Sequence, residues 1–92
     1  MAKRTGNHTD HLLDALGQMV CVGDRATLAH IDRLYLYGLP VEKQDVFEGW
    51  LGKVVTVTDL DDCGTIAVSF QDEAGVRHEF WIEAGWLHRL PI

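Results

Sequence analysis

Three alternating runs, LGKVVTVTDL, TIAVSFQD and VRHEFWIE, are separated by the short segments DDCG and DEAG. In an extended strand, successive side chains point to opposite faces, so strict alternation marks a half-buried strand. Val55 and Val57 share one face, against Val54, Thr56 and Thr58 on the other. Ile66, Val68 and Phe70 point inward, and Ala67, Ser69 and Gln71 outward. Val76, His78, Phe80 and Ile82 share a face, against Arg77, Glu79, Trp81 and Glu83. Each connecting segment ends in glycine, Gly64 or Gly75, the residue that takes positive φ in a tight turn without steric cost. The pattern dictates a three-stranded antiparallel meander.

The flanks extend it. QMVCVGDRATLAHI has β-compatible pieces around a turn signal at Gly23–Asp24. DRLYLYGLPVEKQDVFEGW is irregular, broken by Gly38 and by Pro40, which lacks the N–H of a central strand; it reads as a long loop. AGWLHRL turns at Ala84–Gly85 and ends in a brief strand. At the start, NHTDHLLDALGQM reads as a short amphipathic helix. Asn7 or Thr9 would cap it, Asp10 lies in its first turn, Leu12, Leu13, Leu16 and Met19 form one face, and Gly17 ends it. The expected fold is mainly β: a small SH3-like antiparallel barrel of about five strands with one N-terminal α-helix, since closure hides sheet edges. The expected organisation is a tail and helix over residues 1–19 and a barrel over 20–92, in a single domain.

Ninety-two residues suit one domain with a modest core. The net charge is −6, and the only basic cluster is Lys3–Arg4. Neutralising phosphates needs a positive face, so nucleic acid is not an expected partner, nor is an anionic membrane surface. No long uncharged apolar run follows the basic start, so neither a membrane span nor a secretory signal is read there. The expected location is cytoplasmic. Cys21 and Cys63 are isolated, and free thiols are the expectation.

Four stretches invite comparison: VGDRATLA (22–29), EGWLGKV (48–54), IAVSF (66–70) and WLHRL (86–90). Together they resemble the SH3-like electron-transport-accessory barrels, a superfamily that includes the variable chain of ferredoxin:thioredoxin reductase and the C-terminal barrel of nitrile hydratase beta chains. The resemblance covers roughly residues 22–90. It implies a noncatalytic subunit packed on a larger redox or metal-bearing partner, with the chemistry on that partner, so no catalytic residue carries over. The chain departs from the hydratase pattern in its long loop, which offers only His30, Arg33 and Lys43.

Residues that could carry chemistry have plainer readings. DLDDCG opens like a calcium loop, but Cys63 stands where an oxygen ligand is needed and Phe70 where a bidentate Glu belongs; a hairpin turn explains it. His8, Asp10, His11 and Asp14 could approach one another on a helix face, which reads as a solvated surface. His78 reads as a hydrogen-bonded core histidine. An enzyme would have to use His30 or His88 with a nearby acid, and no nucleophile elbow, P-loop or dinucleotide motif accompanies them. No metal or cofactor is expected. Trp81, on the outer face, is the most informative residue, because aromatic side chains are enriched at interfaces. Tyr35, Tyr37, Trp50 and Trp81 are the candidate binding residues, forming one aromatic surface with the long loop. The expected function is a noncatalytic protein-interaction or accessory module that self-associates or binds a protein partner. The alternatives are a small-molecule site between loop and barrel, and an accessory subunit of a redox or hydratase enzyme.

Overall fold

The computed structural model describes residues 11–91. Its elements are β1 (Leu12–Leu13), β2 (Met19–Val20), β3 (Arg25–Leu28), α1 (Arg33–Tyr37), α2 (Val41–Glu48), β4 (Val54–Leu60), β5 (Thr65–Gln71), β6 (Arg77–Glu83), a 3₁₀ turn (Ala84–Trp86) and β7 (Leu87–Arg89). β1 and β2 form a two-stranded sheet, and the other strands form a five-stranded sheet in the order β6-β5-β4-β3-β7. Every pairing is antiparallel. The fold is mainly β.

The meander forms as the alternation dictates. Val55 and Val57 on β4, Ile66, Val68 and Phe70 on β5, and His78, Phe80 and Ile82 on β6 are buried, and Gly64 and Gly75 take φ of 90° and 81° in the connecting turns. Two details differ. Ala67 is buried although it faces outward, and Val76 is exposed because it lies in the turn ahead of β6. His78 is a hydrogen-bonded core residue. Its Nε2 lies 2.9 Å from Asp72 Oδ2 and its Nδ1 lies 3.3 Å from Lys43 Nζ, which ties the β5–β6 turn and α2 to β6. The His78 hydrogen bond, with backbone N–H groups of Val76 and Ala74, holds the Asp72 carboxyl below its ordinary range.

β3, the first strand of the larger sheet in sequence, pairs with β7, the last, with Ala26 opposite Arg89 and Leu28 opposite Leu87. β6 and β7 are the two edges of the sheet, so its hydrogen-bonded order does not close into a ring. The N-terminal segment covers the β7 edge instead. No helix forms over residues 11–19; β1 and β2 make a hairpin, and the expected caps Asn7 or Thr9 and the first-turn Asp10 lie outside the described residues, as does His8. The reason is Asp14. Its Oδ1 accepts from the backbone N–H groups of Leu16 and Gln18, both at 2.8 Å, and its Oδ2 accepts from Arg89 N–H at 2.7 Å. Ala15 N–H donates to the Leu87 carbonyl at 2.9 Å, and Gly17 takes φ of 78°. A side chain that binds its own backbone competes with helix formation, and here it also binds a strand 75 positions away. Leu13, Leu16 and Met19 are left on the surface.

The expected long loop contains two helices. Asp32 Oδ1 accepts from Leu34 N–H at 2.8 Å and caps α1. Pro40 precedes the first residue of α2, where a missing N–H costs nothing, and Gly49 follows its last. α2 drives Phe47 into the core against Phe80, ring centroids 4.4 Å apart. Leu36 of α1 is buried in the same core cluster.

Candidate functional site

α1 lies beside the end of β6 and the 3₁₀ turn, and a groove of about 390 Å³ separates them. Tyr35, Trp81 and Trp86 line it, with Leu34 and the acidic residues Asp32 and Glu83 also on the lining. Each position has a local cause. Asp32 is held by its cap to Leu34 N–H. One turn of helix puts Leu36 into the core and leaves Leu34 84% exposed. Trp81 stands on the outer face of β6 opposite Ala67, whose small side chain leaves its ring room, and is 43% exposed. Glu83 ends β6 opposite Thr65. The Trp86 carbonyl accepts from Ala29 N–H at 2.8 Å and His30 N–H at 3.2 Å, fixing the 3₁₀ turn to the end of β3.

The Tyr35 and Trp86 rings meet edge to face, centroids 5.3 Å apart and planes at 81°, so they form a corner. Burial pushes the Tyr35 hydroxyl above its ordinary value of 10.0, and the ring is a neutral phenol at physiological pH. Phe47 supports Tyr35 from behind at 5.7 Å. Aromatic rings and acidic residues on one lining favour a cation: the rings through their quadrupoles, the acids through charge.

The predicted aromatic surface divides. Tyr35 and Trp81 share the groove. Tyr37 is exposed on α1 and is not part of the groove lining. Trp50 is committed elsewhere: it stacks on Phe70 at 4.2 Å, its Nε1–H donates to the Val54 carbonyl at 2.8 Å, and Lys53 Nζ lies 4.8 Å from its ring centre. Trp50 therefore covers the core near a second groove, which Lys53 and Asp72 also line. Trp86 is the residue that sequence reasoning missed. It was read as part of the closing strand, whereas the 3₁₀ turn at Ala84 packs it into the core, 7% exposed, with that remaining edge on the groove lining.

The other candidates are accounted for locally. Asp61 accepts from Cys63 N–H, Thr65 N–H and the Thr65 hydroxyl, which holds its carboxyl below the ordinary range and spends it on the β4–β5 turn. Among the described residues, no three His, Cys, Asp or Glu side chains gather in a metal-holding group. The His30 ring packs edge-on against Trp86 at 5.9 Å. His88 has Asp14 as its acidic neighbour, but Asp14 is spent on backbone N–H groups. Cys21 and Cys63 are free thiols. No helix among the described residues is long and apolar enough to cross a membrane. Compared with known protein families, curated proteins and solved structures, the chain matches none.

Proposed function

We propose that this protein is a noncatalytic interaction module whose recognition surface is the groove between α1 and the β6–3₁₀ segment. The convergence of Tyr35, Trp81 and Trp86 from two separate parts of the chain carries this reading. Aromatic side chains present large apolar area at low entropic cost, and they dominate the energetics of protein interfaces. The SH3-like resemblance rests on the sequence stretches 22–29, 48–54, 66–70 and 86–90. That resemblance in turn favours an accessory subunit docked on a larger partner. The acidic balance and the acids lining the groove favour a protein partner over nucleic acid.

A photoreactive benzoylphenylalanine in place of Leu34 is expected to give a discrete adduct with the partner in cells that make the protein. Adding Trp81→Ala, which is expected to leave the sheet folded because Trp81 is 43% exposed, should lower its yield by about tenfold, the size of a modest hot spot. The same probe at Val76, exposed at the opposite end of β6, should give no adduct. Equal adducts from positions 34 and 76, insensitive to Trp81→Ala, would show that the groove is not the recognition surface.

A further inference from the structure

Resting on the reading of the groove as a recognition surface, we infer that its occupant is a basic segment of a protein partner, with one Lys or Arg side chain seated in the Tyr35–Trp86 corner between Asp32 and Glu83. The lining combines the exposed Trp81, Tyr35 and the largely buried Trp86 with the acidic residues Asp32 and Glu83, and among the described residues no Lys or Arg lines it. The Asp32 carboxylate spends one oxygen on its helix cap. The Glu83 side chain makes no ion pair among the described residues. An aromatic corner rewards a cation more as water is excluded, and neighbouring carboxylates set its sign and draw it in.

Three occupants compete, and the surface separates them. A second copy of this chain carries a net charge of −6 and brings like charge to Asp32 and Glu83. A small free cation would fill the corner but leave Leu34, 84% exposed on the lining, in water. The apolar residues flanking a basic side chain in a partner would cover Leu34 as well. β6, which carries Trp81 and Glu83, is an edge of the sheet, so an extended segment can approach along it.

Tryptophan fluorescence tests this with blocked nonapeptides carrying a central Arg or Lys with Ala, Leu and Pro neighbours, copies carrying a central Glu, and tetramethylammonium chloride. The expected result is saturable binding of basic peptides, no binding of Glu-centred copies, and no response to tetramethylammonium at the same concentration. The affinity of the basic peptides should fall about tenfold in the Asp32→Asn, Glu83→Gln double variant, and also with added salt, as expected for a charge-assisted contact. Basic and acidic peptides binding alike, or the double variant binding as well as the parent, would overturn the cationic assignment. Should Trp81→Ala abolish binding in that case, the groove would stand as the recognition surface with a different ligand. A response to tetramethylammonium equal to that of the peptides would assign the corner to a free small cation instead. No response to any probe would overturn the inference.

Discussion

Phe47→Ala is expected to remove about 3–5 kcal/mol of stability, the usual cost of emptying a well-packed core aromatic site. Phe47 is fully buried, packs against Phe80 with ring planes tilted by 35°, and is the buried residue of α2. Single domains hold only about 5–15 kcal/mol in total, so the variant loses a large share of the whole. The urea midpoint should fall by roughly 2–4 M, or the protein should unfold in buffer. Phe47→Leu keeps an apolar side chain at the site and should cost about 1–2 kcal/mol, leaving a folded protein to measure. Because Phe47 also backs Tyr35, the Leu variant should weaken groove binding without altering a groove residue. A change below about 1 kcal/mol in Phe47→Ala would show that α2 does not pack as described.

Asp14→Ala is expected to cost about 2–4 kcal/mol, because it strips a charged acceptor from three backbone N–H groups. The loss is long-range, since Arg89 on β7 is one of the three donors. The hairpin should therefore separate from the β7 edge, with faster amide exchange at Ala15 and Arg89. Asp14→Asn retains an oxygen for Leu16 and Gln18 but turns an amide N–H toward Arg89 N–H, and should cost about half as much. The pH dependence follows from the same contacts. Burial works to raise the Asp14 pKa. The backbone N–H groups of Arg89, Gln18 and Leu16, with the nearby His88, outweigh it and hold the carboxyl below its ordinary 3.8. A carboxyl depressed in the folded state stabilises the fold above its unfolded pKa, and that stability is lost as pH falls through the folded value. Acid destabilisation below pH 3.8 should thus be shallower in Asp14→Asn than in the parent. Asp61 and Asp72 are depressed in the same direction and add to the acid sensitivity. Identical acid profiles for parent and variant would assign Asp14 no part in it.

The β4–β6 meander was legible because Val55, Val57, Ile66, Val68, Phe80 and Ile82 alternate without interruption and Gly64 and Gly75 punctuate them. The N-terminal segment was misread because Leu12, Leu13, Leu16 and Met19 do recur at helical spacing. What overrides the spacing is the Asp14–Arg89 contact, which no local pattern reveals. The two helices were obscured by Gly38 and Pro40, read as breakers of one long loop. Asp32 before Arg33, Pro40 before Val41 and Gly49 after Glu48 are start and stop signals that could have marked them.

At the candidate site, alternation placed Trp81 outward and the loop residue Tyr35 was chosen as its companion; the structure brings both to one groove. Trp50 and Tyr37 were grouped with them on residue type alone. The Trp50 contacts to Phe70 and Val54 come from tertiary packing that sequence does not display. Trp86 was hidden because a three-residue 3₁₀ turn leaves no periodic signature.

The three tryptophans provide an internal control for the central claim. Each indole N–H gives its own signal in a ¹⁵N–¹H correlation spectrum, and an Arg-centred peptide can be titrated against all of them at once. The account predicts that the Trp81 and Trp86 signals shift together and saturate, while Trp50, bonded to Val54 and stacked on Phe70, stays in place. A spectrum in which Trp50 alone moves, or in which no indole moves at millimolar peptide, would contradict it.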